Sequence, residues 1–409
     1  MCEGNLCVDG AGTTGAIGCT NGSVEDDEIC DDGNQADGDG CNNDCTESGT
    51  LLWEFRSAFI GADEIRDVAA FDDATIFVGG YQDKKAWLSR FSAENGLTQE
   101  WSRLYSSAPE HRILSIALSE DSIFAVGSVT PVPMTEIRAA WIARLSLDGE
   151  LEWESTWSSD DGDTYATQVN LTSDGTVVVA GVTTMVDNTV GVWAGRYSND
   201  GLSEWIEDYP SGVAKSYSEG PGLAVAADAV LVGYGAYKGN AQPELLVAFP
   251  PVGGLPLWTR QIDDSFGVVH SLAQDPGGDV IVGAVPTDFP GATLRRLTGT
   301  GDTVWATGQC TDSAVRAVAL DKTGDILAIG DQESEIPQIS KRDVRLCRFS
   351  QGGWLRWGKT HLGTYASGSD MGRSVAVLPS GPVVAGGSLI VGPSGKGYER
   401  DAWLAVYSP

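Results

Sequence analysis

Residues 140–154 read A-W-I-A-R-L-S-L-D-G-E-L-E-W-E. Two short runs, rich in the residue types that favour strands, flank a polar turn that contains Asp148 and Gly149. The first run recurs elsewhere, as A-W-L-S-R-F-S at 86–92 and as V-R-L-C-R-F-S at 344–350. A β-hairpin repeated along one chain predicts an architecture built from repeated sheets.

A Trp closes every repeat, at spacings of 48, 52, 52, 53, 47 and 52 residues. In the repeat that ends at Trp153, apolar runs at 113–118 and 123–127 precede the hairpin and bring the predicted strands to four. Four strands in about fifty residues are typical of a propeller blade. Because a residue at a fixed repeat position serves the repeat, we interpret these Trp residues as packing anchors between neighbouring blades. They are Trp53, Trp101, Trp153, Trp205, Trp258, Trp305 and Trp357.

The two ends of the repeat region complement each other. The last repeat ends at 402–409 without a fourth strand, and residues 50–55 form a strand that belongs to no repeat. Insertion of that strand into the last blade would close the ring and leave no free sheet edge. The sequence therefore predicts an all-β protein, with a seven-bladed β-propeller of four-stranded blades over 50–409 and a small disulfide-rich module over 1–49.

Six of the eight Cys lie in the first 45 residues. Such density in a short segment predicts a disulfide framework, and disulfides persist outside the reducing cytosol. The segment has no C-x2-C pair and no His, which argues against zinc. We interpret Cys310 and Cys347 either as a bridge between adjacent blades or as small buried side chains. The expected disulfide cysteines of the module are Cys2, Cys7, Cys19, Cys30, Cys41 and Cys45.

The motifs C-D-D-G-N at 30–34 and G-D-G-C at 38–41, followed by Cys45, closely resemble the Myxococcus cysteine-rich disulfide repeat over 19–45. Thr20 and Asp27 depart from that family, which usually has Gly at both positions. The resemblance implies a secreted or cell-surface protein and implies little about its function. The repeats over 50–409 look like the Trp-bearing bacterial propellers of the quinoprotein-like type, a resemblance that concerns folding and not chemistry.

Oxygen-bearing side chains are dense between Cys30 and Cys41. Calcium takes roughly six to eight oxygen ligands, and the glycines here would allow the sharp turns of such a site. Asp and Asn beside Gly also form turns without any ion, so calcium and capped turns both stay open. No cofactor is required by the sequence, and calcium is the one considered. Its candidate ligands are Asp31, Asp32, Asn34, Asp37 and Asp39.

The formal net charge of −31 argues against nucleic acid and anionic membranes as partners, because Lys and Arg bind a phosphate backbone. No apolar run approaches the roughly 18 residues of a transmembrane helix. No signal segment precedes Cys2, which we interpret as a missing start of the chain. We expect a monomer, outside the cell or on its outer surface, that binds a protein or glycan ligand.

Alignment of the first strands of the repeats places a basic residue just before the strand in five of them. Forked guanidinium contacts there would bind an anion at the channel mouth, such as a carboxylate-bearing sugar or a peptide terminus. Acids precede these positions, Glu64 and Glu110 among them, so pairing of Arg with acid around the ring is the alternative. The candidate ligand-binding residues are Arg66, Arg112, His270, Arg316 and Arg373.

The sequence assigns no catalytic residue. Its three His fall in different repeats without metal-ligand spacing, and no G-x-S-x-G motif is present. The alternative to a binding protein is an extracellular carbohydrate-active hydrolase or lyase that uses carboxylates at the mouth. A second set of basic residues, regularly placed on the third strand, is predicted to have structural cross-strand partners. These are Arg90, Arg144, Arg196 and Arg348.

Overall fold

The structure is a computed structural model. It describes residues 21–25, 28–57, 62–105, 110–130, 137–159, 162–184, 189–214, 220–226, 228–235, 245–262, 266–286, 293–333, 342–363, 365, 368–394 and 397–409. This part of the chain contains no helix with the length and apolar character needed to cross a membrane.

The described residues form seven four-stranded antiparallel sheets, which confirms the seven-bladed β-propeller. The first strand, β1 (Leu51–Arg56), belongs to the last blade. Blade 1 contains β2 (Asp63–Ala70), β3 (Thr75–Gln82), β4 (Lys85–Ser92) and β5 (Thr98–Tyr105). Blade 2 contains β6 (His111–Leu118), β7 (Ser122–Val129), β8 (Ala139–Ser146) and β9 (Leu151–Trp157). Blade 3 contains β10 (Thr164–Leu171), β11 (Val177–Thr184), β12 (Thr189–Tyr197) and β13 (Ser203–Ala214).

Blade 4 contains β14 (Gly222–Val225), β15 (Val230–Tyr234), β16 (Leu245–Phe249) and β17 (Trp258–Gln261). Blade 5 contains β18 (Phe266–Gln274), β19 (Val280–Pro286), β20 (Leu294–Leu297) and β21 (Thr303–Thr307). Blade 6 contains β22 (Ala314–Leu320), β23 (Ile326–Glu333), β24 (Arg342–Phe349) and β25 (Leu355–His361). Blade 7 contains β26 (Met371–Val377), β27 (Val383–Ser394) and β28 (Gly397–Tyr407), with β1 outermost.

The burial of each strand follows its place in the blade. The second strands are almost continuously apolar because neighbouring blades cover both of their faces, and every residue of β7 is buried. The outermost strands alternate between half-buried and exposed residues, as in β9, because only one of their faces meets another blade. The core therefore consists of apolar layers between successive blades rather than one central cluster.

The ring closes as predicted, with β1 paired antiparallel to β28 from Leu51↔Tyr407 to Arg56↔Trp403. Two backbone hydrogen bonds extend the seam: Ser408 N donates to Thr50 O at 2.8 Å, and Gly49 N donates to Pro409 O at 3.1 Å. Both ends of the propeller thus meet in blade 7 and remove the edge that β28 would otherwise expose.

The repeated Trp anchors one blade to the next, as predicted. Trp153 Nε1 donates to the carbonyl oxygen of Asn199, in the hairpin turn of blade 3, at 2.8 Å. Gly201 in that turn has φ +84°, and a Cβ there would lie 2.8 Å from the Trp153 ring, so only glycine fits. The contact recurs where Trp205 Nε1 donates to Pro251 O at 3.0 Å and Trp305 Nε1 to Gln351 O at 3.0 Å.

Three of the third-strand Arg residues, Arg90, Arg144 and Arg196, have the cross-strand partners that the sequence predicts. Arg348 pairs instead with Asp321 and Asp325, in the turn between β22 and β23. Arg144 pairs with Glu152 on β9 at 2.9 Å, and Arg90 pairs with Glu100 on β5 at 2.8 Å. Arg144 also donates to Asn199 O at 3.4 Å, so this carbonyl receives both the guanidinium and the indole of blade 2. The regular Arg positions therefore tie strands together and support the contact between blades.

Two disulfides lie within the described residues. Cys30 is bonded to Cys41, and Cys45 is also disulfide-bonded, which confirms that these three cysteines form disulfides; the sequence did not predict which cysteines pair. Cys310 is bonded to Cys347, which joins the connection that precedes β22 to β24 of the same blade. This bond does not link two blades, one of the arrangements considered from the sequence. Cys2, Cys7 and Cys19 lie outside the described residues.

The end of the cysteine-rich segment contacts blade 6. Glu47 pairs with Lys359 at 3.2 Å, and Asp39 lies 3.7 Å from the guanidinium of Arg356. Gly49 has φ +71°, and a Cβ there would lie 2.8 Å from the Trp357 ring. Gly49 therefore packs against the Trp357 ring as Gly201 packs against the Trp153 ring. Gly201 lies in a hairpin turn, whereas Gly49 lies in the segment that leads into β1 at the seam of blade 7.

The side chain of His111, at the start of β6, is expected to make the stability of the protein fall at acid pH. Its ring is buried and lies 4.4 Å from the Trp141 ring, centroid to centroid, and neither ring nitrogen has a hydrogen-bond partner among the described residues. Burial lowers the pKa of His111 to about 4, against an ordinary value of 6.5. The neutral imidazole therefore contributes stability that is complete above about pH 6.5 and is lost as the pH falls towards about 4.

We expect this loss to reach about 3 kcal/mol, because each unit of pKa difference corresponds to about 1.4 kcal/mol. Urea unfolding of the native protein and of His111→Phe, at pH 7 and at about pH 4, measures it. Other groups titrate in both proteins, so the difference between the two losses of unfolding free energy gives the contribution of His111. An equal loss in the two proteins would contradict the assignment.

Candidate functional site

The inner strands of six blades contain a register shift that leaves one residue without a partner on the second strand, as in a β-bulge. In blade 1 the shift lies between Ile65 and Asp67, so Arg66 is the bulged residue. In blade 4, β14 begins at Gly222, the counterpart of Asp67, and Pro221 precedes it. Around the ring from blade 1, the residues at the bulge position are Arg66, Leu114, Thr167, Pro221, His270, Arg316 and Arg373.

This register differs from the sequence alignment in blade 2. The alignment matches Arg112 to Arg66, whereas the structure places Leu114 at the bulge and Arg112 two residues earlier. Arg112 stacks over the Tyr81 ring at 4.8 Å and pairs with Glu110 at 2.9 Å. Basic residues at the bulge thus come from four consecutive blades, from blade 5 round to blade 1, and blade 2, which the alignment had added as a fifth, has Leu114 there.

Three of the five predicted ligand-binding residues line one cavity of about 180 Å³ in the central channel: Arg66, Arg316 and Arg373. All seven inner strands contribute to its described lining, which includes Ser271, Ser374 and other polar side chains. His270 is buried at the bulge of blade 5 and is not among the described lining residues, and neither is Arg112.

Carboxylates already contact these guanidinium groups. Glu64 pairs with Arg66 at 3.1 Å and with Arg373 from the neighbouring blade, and Tyr81 Oη donates to it at 2.7 Å. Burial, followed by the charge of Glu64, raises the pKa of Tyr81 to about 12, so the phenol stays protonated as a donor. The sequence-based alternative of Arg–acid pairing across blades therefore holds at the junction of blades 7 and 1.

The third guanidinium has the same kind of partner within its own blade. Arg316 Nε contacts Asp331 Oδ1 at 2.5 Å, and Arg342 contacts the other oxygen of this carboxylate at 3.1 Å. Each of the two buried carboxylates, Glu64 and Asp331, thus faces two guanidinium groups. A guanidinium carries five N–H donors in a fixed fork, so it can contact several acceptor oxygens at once.

Asp67 is a carboxylate in the cavity wall that sequence reasoning did not select. It accepts Ile116 N at 2.8 Å, Val68 N at 2.9 Å, Ser115 Oγ at 2.8 Å and Ser374 Oγ at 2.6 Å. Burial raises the pKa of Asp67, although these four hydrogen bonds act in the opposite direction. Asp67 thus joins blades 7, 1 and 2 at the channel.

The residue after the bulge forms part of a ring of contacts between blades. In four blades its side-chain oxygen accepts the backbone N–H that the next blade presents to the channel. Ser374 accepts Val68 N at 3.2 Å, Asp67 accepts Ile116 N at 2.8 Å, Ser115 accepts Val169 N at 3.3 Å, and Ser271 accepts Val318 N at 3.1 Å. These side chains satisfy N–H groups on the strand edge that has no neighbouring strand.

The candidate calcium ligands mostly accept backbone hydrogen bonds. Asp31 accepts N–H groups from Gly22 and Gly33, and Asp37 accepts one from Asn43 at 2.8 Å. Asp32 accepts Cys41 N at 3.1 Å, and Asn34 accepts Ala36 N at 2.6 Å while donating to Asp39 at 3.2 Å. These are the contacts of capped turns, and calcium binding by this set stays a prediction.

A different acidic group converges among the described residues of this segment. Ligand atoms of Glu25, Glu28 and Asp31 lie within 4.8 Å of one another, of which the sequence predicted only Asp31. Glu25 and Glu28 precede the C-D-D-G-N motif and have no spacing that would have singled them out. Exposed acids often lie close together without an ion, so the group by itself does not identify a metal site.

Comparisons with known proteins extend to the fold alone. No family model and no curated protein sequence matches the chain. A streptogramin B lyase structure is similar with a TM-score of 0.54 and 14% identity, covering 88% of this chain and 98% of the lyase chain. Chaetomium thermophilum Sqt1, bound to the N-terminus of ribosomal protein L10, is similar with a TM-score of 0.50 and 13% identity, covering 88% of this chain and all of Sqt1. At such identities the likeness supports the propeller fold and assigns no activity.

Proposed function

We propose that this protein is a propeller that binds an anionic ligand at the mouth of its central channel through Arg66, Arg316 and Arg373. The observation that carries the proposal is the convergence of these guanidinium groups on one polar cavity in a chain whose net charge is −31. Guanidinium forks match the two oxygens of a carboxylate or the oxygens of a sulfate.

The lining favours binding over hydrolysis. A two-carboxylate glycosidase needs its carboxyl groups roughly 5–10 Å apart across the scissile bond. Among the described lining residues Asp67 is the one carboxylate, and its oxygens already accept four hydrogen bonds. A catalytic acid or nucleophile needs an oxygen that can reach the substrate, which these contacts oppose.

We propose that the protein functions outside the cell. The disulfides of the described chain fit an oxidising compartment. The match of 19–45 to the Myxococcus cysteine-rich disulfide repeat, a sequence resemblance, suggests export to the cell surface. We propose that 1–49 form the exported module, that 50–409 form the ligand-binding propeller, and that the protein acts as a monomer on a glycan or peptide ligand.

The test compares an acidic sugar with its neutral counterpart. We expect the native protein to bind glucuronate and not glucose, and Arg316→Ala/Arg373→Ala to bind glucuronate on the order of 100-fold more weakly, because each charge-assisted contact contributes about 1.5–3 kcal/mol. Isothermal titration calorimetry measures both affinities, and a glycan and peptide array run with and without calcium extends the search.

Arg260→Ala is the matched control for charge, since Arg260 is exposed and lies 3.8 Å from Asp302, away from the described cavity lining. If the Ala variants do not fold, Arg316→Lys/Arg373→Lys retains the charge and removes the fork. Native affinity in a folded double variant would refute the proposed role of these residues.

A further inference from the structure

Blade 3 contributes two amide side chains, Gln168 and Asn170, to the described lining of the channel cavity. Gln168 directly follows the bulge residue of its blade, the register at which Asp67 and Ser115 accept an N–H of the next blade. The Gln168 side chain is half-buried and makes no hydrogen bond within the part of the chain that the structure describes. Its amide therefore has both a donor and an acceptor to offer to a ligand in the cavity.

Asn170 differs from its counterparts in the repeat. Three residues after the bulge position, the other six blades all have Ala. These residues are Ala69, Ala117, Ala224, Ala273, Ala319 and Ala376. Asn170 Nδ2 donates to Leu223 O of blade 4 at 3.1 Å, and Oδ1 accepts no hydrogen bond from the described residues. Since a methyl group is enough for the fold at this register, the amide of Asn170 points to a role in the cavity.

The two amides lie across the channel from the guanidinium groups of Arg316 and Arg373. The inner strands of consecutive blades contact one another round a closed ring. In a ring of seven blades, blade 3 is opposite blades 6 and 7, which contribute these two Arg residues. All four residues line the same cavity. A ligand that fills the cavity therefore meets positive charge at one end and neutral amides at the other.

The amide side favours hydroxyl groups on the ligand. A hydroxyl both donates and accepts hydrogen bonds, as the Gln168 amide does, whereas an ammonium group only donates. An apolar group would leave the amides without partners. The cavity of about 180 Å³ is smaller than the roughly 300–1,000 Å³ pockets of drug-sized ligands, which favours a ligand of a single ring.

We propose that Gln168 and Asn170 bind hydroxyl groups of the ligand whose acidic group contacts Arg316 and Arg373, so that the ligand is a polyhydroxylated carboxylate the size of one monosaccharide, such as a uronic acid. This inference rests on the proposed function and adds to it the class of ligand and the residues that bind its neutral end. The Arg residues attract the charge, and the amides distinguish a hydroxylated ring from an apolar ring.

Glucuronate and cyclohexanecarboxylate test the amide side, because both have a six-membered ring and one carboxylate but only glucuronate has hydroxyl groups. We expect the native protein to bind glucuronate on the order of tenfold more tightly, the effect of one or two hydrogen bonds between neutral groups. In Gln168→Met/Asn170→Ala this preference is expected to disappear, while cyclohexanecarboxylate keeps its native affinity. Isothermal titration calorimetry measures each of these affinities.

Gln309→Met is the matched control, since Gln309 is exposed and is not among the described lining residues. If the double variant does not fold, Gln168→Met alone is compared with the native protein. The amide assignment would be overturned by equal native affinities for the two carboxylates, by a preference that persists in the folded variant, or by an equal loss of both ligands. Binding of glucuronate by the native protein would in each case leave the proposed function standing, and failure to bind either carboxylate would overturn both.

Discussion

Deletion of residues 1–56 is expected to lower the free energy of unfolding by on the order of 5 kcal/mol relative to deletion of residues 1–49. The longer deletion removes β1, whose Trp53 and Phe55 pack on the core layer between blades 7 and 1. The Phe55 and Phe91 rings lie 4.8 Å apart, so the loss exposes blade 1 as well. It also exposes the edge of β28, which would promote association.

Urea unfolding gives the difference in stability, and size-exclusion chromatography detects the association. The deletion of 1–49 is the matched control, because it removes the acidic segment but keeps every residue of β1. Coincident unfolding curves for the two truncated proteins would show that the seam contributes little to the stability of the ring.

Asp67→Ala is expected to cost about 3–5 kcal/mol, because it leaves buried donors from two neighbouring blades without their acceptor. Ile116 N–H and the hydroxyl groups of Ser115 and Ser374 all donate to this carboxylate. The loss of a single exposed carboxylate is much cheaper, since surface pairs contribute about 0–1 kcal/mol.

The exposed Asp302 supplies the control for Asp67. Asp302→Ala removes the same side chain from a surface pair with Arg260 at 3.8 Å. Chemical denaturation of both variants at pH 7 measures the two costs. A loss for Asp67→Ala as small as that for Asp302→Ala would mean that the channel contacts of Asp67 do not hold the blades together.

The number of blades and the seam could be predicted because each leaves a mark at one sequence position. One Trp per period reports one contact between blades, and its packing against a turn glycine explains why both residues recur. The missing fourth strand after Ala402 and the isolated strand at Leu51 are also visible in the order of the sequence alone. Neither prediction depends on knowing the distance in space between residues that are far apart in the sequence.

The arrangement of the channel could not be predicted in the same way. The alignment placed Arg112 beside Arg66 because both precede an apolar run, but the bulge lies at Arg66 in blade 1 and two residues after Arg112 in blade 2, a difference that leaves no mark in the spacing. Asp67, Ser115, Ser271 and Ser374 do share one position, and their oxygen atoms were a signal that the sequence contained. Their function became apparent only with the neighbouring blade in place, since each accepts an N–H from residues about fifty positions away or, at the seam, from the opposite end of the propeller.

The antiparallel pairing at the seam has a mechanical consequence. The first residue of β1 pairs with the last residue of β28, so both ends of the propeller leave it from the same corner of blade 7. Tension between segments attached at Thr50 and Pro409 would break the β1–β28 hydrogen bonds one after another from that end, because the force would not be shared among all of them. The ion pairs of Glu47 and Asp39 with blade 6 lie ahead of that point and would bear the pull from the amino-terminal side first.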